Sequence, residues 1–384
     1  MHGGIPLYNR DLIHAICAHP VQPRVTLVPR FASDATECLP QNVRHVTCGI
    51  GGKWRYACSI LRLLRADRRF NLIVCAHINL LPLAALARFI TGAPVVLVIY
   101  GIEAWRAPRL TGRLWLRSIH AYVSGSEFTR TRFLEWSKVQ ALGFVLPNAV
   151  HADWYSPGEK NRKLIKRFGL DGKRILLTLG RLESSERYKG IDEVLAVLPA
   201  LARDVPNIIY LVAGDGSDRQ RLEEKVRRLG LVDRVTFIGF VAESDKADLY
   251  RLADVYVMVS RGEGFGFVFL EALATGLPTV ASSVDGGREA LDDGRLGFLV
   301  DPADAQAIKR SLLAALHQPR GIPAGLERFH YRHFERRVHC MLDEWLWIGG
   351  RDADEGEATQ GGSGKISPTT PANKESCATE APAA

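Results

Sequence analysis

The stretch that decides the fold runs Arg261-Gly262-Glu263-Gly264-Phe265-Gly266-Phe267-Val268-Phe269-Leu270-Glu271-Ala272-Leu273-Ala274-Thr275-Gly276. It follows an apolar run, Ala253 to Ser260, with the length and composition of a buried strand. Glu263 therefore stands just beyond a strand end, and Glu271 lies inside the helix that follows. Gly264 and Gly266 let the intervening turn bring its backbone close to a ligand. The helix start offers unpaired N–H groups and a positive dipole end, which suit an anion such as a diphosphate. Gly276 and Pro278 close the helix. Two carboxylates flanking an anion site fit a ligand with hydroxyls on both sides of a diphosphate, and a nucleotide sugar has that shape.

Outward from this stretch the pattern repeats. Apolar runs at Ile175–Leu179, Ile208–Ala213, Val235–Ile238, Val255–Val259 and Thr279–Ala281 alternate with helical periodicity near Gly190–Leu201, Asp218–Leu229, Asp245–Leu252, Phe267–Thr275 and Asp304–Leu316. The first half alternates in the same way. Strands are expected at 24–28, 72–76, 94–100, 121–124 and 143–146, and helices at Trp54–Arg68 and Leu80–Ile90. Such alternation specifies parallel sheets covered on both faces. The reading is an α/β chain of two Rossmann-like, doubly wound domains facing across a cleft: 1–155, 156–329, a crossover helix at 330–349, and a disordered tail at 350–384. A polar stretch, Asp153 to Gly172, serves as hinge. The tail is rich in Gly, Ser, Thr, Pro, Ala and Glu without periodicity, too polar to bury itself. A doubly wound domain opens with a strand before its first Gly-rich turn. Gly3-Gly4-Ile5 reads as that turn with no strand ahead of it, so either the first strand is encoded upstream, which is the favoured expectation, or the sheet tolerates an unfilled position.

Glu263-x7-Glu271, Gly180-Arg181-Leu182 with Lys189-Gly190, Val212-Ala213-Gly214-Asp215-Gly216 and Val235-x-Phe237-x-Gly239-x-Val241 occur in one order, each beside a strand-like run. Together they resemble the motifs of retaining GT-B glycosyltransferases of the family-4 type, over about residues 3–345 and most strongly from Gly180 to Pro302. The resemblance implies an activity, hexosyl transfer from a UDP- or GDP-sugar to a lipid-linked or polysaccharide acceptor in envelope or exopolysaccharide synthesis. It implies that Arg181 and Lys189 neutralise the departing diphosphate, that Glu263 holds hydroxyls of the sugar, and that Glu271 holds those of the ribose. Gly3 and Gly4 are placed near the diphosphate, and Phe265, Gly266, Val241 and Glu103 at the substrate. No cofactor is expected beyond the nucleotide sugar as co-substrate, and no metal, because the two cations take its place. Many relatives carry histidine where Tyr100 stands and an acidic residue where His151 stands, so a histidine donor contact is not expected here and the hinge is tuned differently. The bland reading of Arg181 and Lys189 is an ion pair with Glu183 or Glu186.

The 384 residues carry a formal charge of +8, unevenly spread. Residues 1–160 hold 19 Lys and Arg against 9 Asp and Glu, and the remainder 31 against 33. The basic first half points to an acidic partner, and without aromatic-basic nucleic-acid signatures the partner is expected to be an anionic membrane surface rather than nucleic acid. The alternation of Trp105, Leu110, Leu114 and Trp115 with Arg106, Arg109, Arg113 and Arg117 reads as an interfacial segment. Seven scattered cysteines without a paired motif fit reduced thiols, and no apolar leader or membrane span is evident. The expected location is cytoplasmic, peripheral on the inner face of the plasma membrane. Two other functions suit the same fold. A sugar-nucleotide epimerase is disfavoured by the spaced glutamates, and a non-catalytic sugar-nucleotide-binding partner by the retention of Glu263, Glu271, Arg181 and Lys189.

Overall fold

The computed structural model describes residues 3–31, 39–107 and 112–357. In the first domain β1 (Val25–Leu27) and β2 (Val43–His45) form a parallel pair of their own. A separate parallel sheet holds β3 (Ile73–Cys75), β4 (Val95–Ile99), β5 (Ala121–Ser124) and β6 (Leu142–Val145) in sequence order. The earliest described element is the helix Gly4–Cys17, whose first turn is the Gly3-Gly4 segment. The short β2 has no hydrophobic run to mark it and was not legible in the sequence.

The second domain is one six-stranded parallel sheet: β7 (Arg174–Leu179), β8 (Ile208–Ala213), β9 (Val235–Gly239), β10 (Val255–Met258), β11 (Thr279–Ser282) and β12 (Phe298–Val300). Its spatial order is β12-β11-β10-β7-β8-β9. The chain moves one way from β7 through β8 to β9, then returns to lay β10, β11 and β12 on the other side. The order therefore reverses between β7 and β10, and ligands of open α/β sheets bind outside the carboxyl ends of strands at such a point. Arg181 follows β7 and Glu263 follows β10, so topology alone brings the two predicted groups to one crevice.

Both faces of this sheet are covered, by clusters around Leu177, Tyr256 and Phe269 on one side and Leu176, Val212 and Leu198 on the other. The two chain crossings between domains run side by side: Val150 N–H donates to Phe329 C=O at 2.8 Å, and Tyr331 N–H to Val150 C=O at 3.2 Å. The last helix, Tyr331–Glu357, lays Phe334, Val338, Met341, Leu342 and Trp345 against Tyr8, Leu12 and Ala15 of the first domain, an apolar stripe at helical spacing. It runs beyond the range read from sequence. Residues 350–357, assigned by composition to a disordered tail, are helical, because a helix already docked extends at one hydrogen bond per residue fixed. The rest of that tail lies outside the described residues.

Trp345 is 1% exposed, and its indole N–H finds no acceptor. Trp345→Ala is expected to lower stability by about 3–5 kcal/mol in urea unfolding. Trp345→Phe should cost far less, since it keeps most of the packing and removes the unbonded donor. Equal midpoints for wild type and Trp345→Ala would mean that this helix does not hold the domains together.

Candidate active site

The loop after β10 is held from beneath by a residue that sequence reasoning missed. Asp285, fully buried after β11, accepts from Ser260 Oγ at 2.6 Å, from Glu263 N–H at 2.9 Å and from Gly287 N–H at 3.0 Å. Gly286 N–H returns to Glu263 C=O at 2.9 Å. Glu263 is thus fixed at both backbone groups. Its side chain is half-buried, and that burial pushes its carboxyl up to about 7, with Asp285 and Glu186 adding to the rise and Lys189 opposing it. The only sequence signal for Asp285 was an acidic residue before two glycines at a strand end.

Gly266, with φ of 91°, caps the helix Phe267–Ala274 in a left-handed conformation that disfavours a side chain. Its Cβ would also meet Glu263 Cγ at 3.2 Å. Across the cleft, a Cβ on Gly4 would stand 3.4 Å from the Phe267 ring, so the starts of helices Gly4–Cys17 and Phe267–Ala274 face one another. Two positive helix ends converge there, as an anion site requires.

Lys189 and Arg181 both reach Glu186. Lys189 Nζ lies 2.6 Å from Glu186 Oε2, and Arg181 pairs with Oε1. Lys189 is 12% exposed at its side chain and Arg181 63%. The bland ion-pair reading is therefore what the structure shows for both cations, and it leaves Lys189 close enough to Glu263 to oppose the rise of its pKa.

Glu271 is 2% exposed. Tyr250 Oη donates to its Oε2 at 2.7 Å, and Lys246 Nζ lies 3.5 Å from its Oε1. Burial raises its pKa, against the opposing pull of Lys246 and Tyr250. Lys246 also pairs with Glu243 at 2.8 Å, and Tyr155 Oη donates to Glu243 Oε1 at 2.8 Å. This polar group at the other end of the helix Phe267–Ala274 was not visible in sequence beyond Glu271 itself.

Other predicted residues have different employment. Phe265 is a core residue, 2% exposed and edge-on to Phe329 at 5.7 Å, so a substrate contact through its ring is corrected to packing. Val241 is half-buried against the same core, while its neighbour Phe240 is 62% exposed. Glu103 turns its carboxylate onto its own loop, where Oε1 accepts from Tyr100 N–H at 2.6 Å and Gly101 N–H at 3.1 Å. Tyr100 is likewise spent, donating to Asn9 Oδ1 at 2.5 Å. His151 lies 3.0 Å from Asp11 and stacks between Trp154 and Tyr331 at the hinge. His77 caps a turn by accepting from Asn79 N–H, and burial lowers its pKa.

The interfacial segment is also revised. Trp105 donates from Nε1 to Thr129 Oγ1 at 3.2 Å, and Trp115 packs into the first-domain core, so neither is free for a lipid surface. Arg109 and Leu110 lie outside the described residues. Exposed aromatic surface lies instead at Trp54 (85%) and Phe89 (89%). Phe89 lines a groove of about 340 Å³ with Leu61, Leu64, Ile90, Arg65 and Arg68. No described helix is long and apolar enough to cross a membrane, and no cluster of metal-ligating side chains occurs among the described residues.

Residues 160–331 match the family model of glycosyl transferases group 1. A mannosylfructose-phosphate synthase of Agrobacterium fabrum is 35% identical over 205 residues, 51% of this chain and 42% of that protein. A GDP-mannose-dependent α-(1-6)-phosphatidylinositol monomannoside mannosyltransferase of Mycolicibacterium smegmatis is 31% identical over 231 residues, 58% of this chain and 57% of that protein. The chain thus spans about half the length of these curated relatives. Among solved structures, Anabaena HepE in complex with UDP superposes with a TM-score of 0.70 at 20% identity, covering 89% of this chain and 96% of that one. Sucrose-phosphate synthase from Thermosynechococcus elongatus gives 0.64 at 20% identity, with 93% and 94% covered. At that identity the likeness establishes the architecture, two facing α/β domains with parallel sheets. The crevice at the β7–β10 reversal accordingly belongs to a group 1 glycosyl transferase domain, and the chain that carries it has the GT-B fold.

Proposed function

We propose that this protein transfers a hexosyl group from a UDP- or GDP-sugar to a lipid-linked or polysaccharide acceptor, with retention of anomeric configuration and without a metal. The observation that supports the reading is the placement of Arg181 after β7 and Glu263 after β10 at the sheet's switch point, with Lys189 beside Glu263 and sharing Glu186 with Arg181, and with the Gly4–Cys17 helix start close to Phe267. The diphosphate lies between the two helix starts. Lys189 and Arg181 leave Glu186 to take its oxygens, as charge-assisted bonds to a doubly charged group favour. Glu263 accepts hydroxyls of the sugar, and Glu271 takes ribose hydroxyls once Lys246 swings aside. The C1–O bond to the diphosphate breaks with its electron pair on the leaving oxygen. The acceptor oxygen bonds C1 on the same face, and its proton passes to that phosphate oxygen. Charge growing on the leaving group is what the cations and helix ends stabilise. The GDP-mannose-dependent relative and the UDP-bound neighbour support a nucleotide-sugar donor of one of these two classes.

For the acceptor side we place the first domain against an anionic membrane from the cytoplasmic face. Trp54, Phe89, Arg65 and Arg68 make the contact. Aromatic and basic side chains on one surface suit a lipid interface.

Lys189→Ala should lower affinity for UDP or GDP by about tenfold or more, the loss of one charge-assisted bond. Glu186→Gln should raise it, because the competing anion is gone; calorimetry showing no change in either variant would remove the cations from the diphosphate site. Glu263→Ala should spare nucleotide binding and abolish transfer, and free nucleotide should appear from a donor panel only when acceptor is present, which an epimerase would not require.

A second expectation concerns pH. A carboxyl raised from 4.5 to about 7 binds its proton more tightly in the folded protein, so its contribution to stability is lost as pH rises through that window. Glu263→Gln should therefore raise the melting temperature at about pH 8 and leave it nearly unchanged at about pH 5. Equal shifts at both values would contradict the burial of this charge.

Liposome co-sedimentation should show binding to anionic vesicles at low salt that weakens at about 1 M salt, where the Debye length is about 3 Å. Trp54→Ala with Phe89→Ala should reduce it, and binding equal on neutral vesicles would exclude the electrostatic part.

A further inference from the structure

We propose that Asp285–Glu289 is a positioning device that couples the approach of the first domain to the placement of Glu263, with Glu289 as its latch. The proposal rests on the role given to Glu263 above.

One end of the segment holds the Glu263 loop. Asp285 takes Ser260 Oγ and Glu263 N–H, and Gly286 N–H takes Glu263 C=O. The other end reaches the first domain. Glu289 Oε2 accepts from Glu127 N–H at 2.8 Å, and Oε1 from Phe128 N–H at 2.7 Å. These are the opening residues of the helix Glu127–Ser137, whose own cap, Ser126 Oγ, takes only Thr129 N–H. Two of that helix's orphan donors are therefore satisfied by a carboxylate from the other domain, with the dipole favouring a negative charge there. Between the two ends lie three residues, Gly286, Gly287 and Arg288. Gly287 is pinned to Asp285 Oδ1, and a single helical turn, Gly287–Ala290, leads into Glu289. The chain between latch and loop has almost no slack.

The contact between domains also passes directly through the loop. A Cβ on Gly264 would overlap the Tyr100 carbonyl oxygen and lie 3.0 Å from Gly101 Cα, and a Cβ on Gly286 would overlap the Gly264 carbonyl oxygen. When the first domain withdraws, Gly101 leaves Gly264 and Glu289 loses both donors. The segment then no longer presses the Glu263 loop into its buried setting.

The groups facing Glu263 are Lys189, Asp285, Glu186, Tyr188 and Tyr256, and those facing Glu289 include Glu127 and Asp293. Loosening the latch hydrates Glu263, and replacing Asp285 by Asn removes a neighbouring negative charge. Both changes lower the pH at which Glu263 ionises. A part that merely stabilised the fold would reduce activity without moving that ionisation.

The test uses the full chain and four proteins: wild type, Glu289→Ala, Asp285→Asn and Glu263→Ala. UDP and GDP binding, release of nucleotide from UDP-glucose and GDP-mannose with a lipid-linked or polysaccharide acceptor added between about pH 5 and 9, and the radius of gyration with UDP or GDP bound are measured. Glu289→Ala is expected to bind nucleotide within about twofold of wild type, to lose about tenfold in turnover as two capping bonds go, and to show a larger radius of gyration. The acidic limb of the turnover profile, near pH 7 in wild type, should move to lower pH in both Glu289→Ala and Asp285→Asn. Glu289→Ala with wild-type radius and an unmoved limb would overturn the coupling, even if Asp285→Asn fails to fold. Wild-type turnover in Glu263→Ala would instead overturn the function of Glu263, and this inference with it.

Discussion

Three backbone segments meet at Gly264, and only glycine lets them. The loop after β10 lies between Tyr100-Gly101 of the first domain and Gly286 of its own domain, with no room for a Cβ on either side. The close approach sets the width of the crevice. It brings the start of the helix Gly4–Cys17 opposite the start of Phe267–Ala274, and it lets the Asp285 carboxylate reach Glu263 N–H. A bulkier loop would hold the domains apart and leave the two helix dipoles facing water, where their attraction for an anion is screened. The substrate groups therefore depend on a contact that contains no substrate group.

The charges of the site form closed pairs among the protein's own side chains. Glu186 occupies Lys189 and Arg181, and Lys246 is shared by Glu243 and Glu271. Internal partners keep the two mostly buried lysines, Lys189 and Lys246, from standing alone, which would cost several kcal/mol each. They also mean that ligand binding is an exchange of partners. A diphosphate offers more acceptor oxygens than one carboxylate, so exchange at Lys189 and Arg181 gains charge-assisted bonds. Glu271 lies under Lys246 and Tyr250, and its exchange needs a side-chain rotation first. On the proposed placement, the two ends of a nucleotide sugar would meet different barriers, low at the diphosphate and higher at the ribose.

Much of this was legible. The helix Phe267–Ala274, the strand before it and both glutamates follow from apolar runs and glycine punctuation, and the order of motifs resembles the family whose model matches residues 160–331. Legibility failed where structure depends on residues distant in sequence. Asp285 looks like an ordinary turn residue until β11 sets it beneath β10. Glu289 reads as a solvated helix carboxylate, and nothing local says that it caps a helix 162 residues earlier. Phe265 is placed at the substrate by the resemblance, but its ring is buried in the core against Phe329. Trp105 and Trp115 share a basic stretch, yet Thr129 and the core claim them. Composition signals a basic, partly apolar surface without saying which apolar residues remain outside.

The hinge fixes how the closure contact can be made and broken. The two crossings at Val150 and Phe329–Tyr331 are hydrogen-bonded to each other, and His151 is stacked between Trp154 and Tyr331 while lying beside Asp11. Paired strands resist sliding, because sliding breaks both bonds at once, but they allow rotation about their common line. Relative motion of the domains is therefore a swing about this point rather than a separation. The last helix moves with the first domain because Trp345, Leu342 and Val338 are packed within it. A swing leaves the packing of the last helix intact and spends its free energy at the contacts made across the cleft, Gly101 with Gly264, Glu289 with the Glu127–Ser137 helix, and Phe267 with the first-domain cluster. The first two bury little apolar surface and are each worth of order 1 kcal/mol, whereas Phe267 carries the apolar part of the contact. Closure is consequently an equilibrium, and on the proposed function a nucleotide sugar held by both domains would have enough binding free energy to shift it.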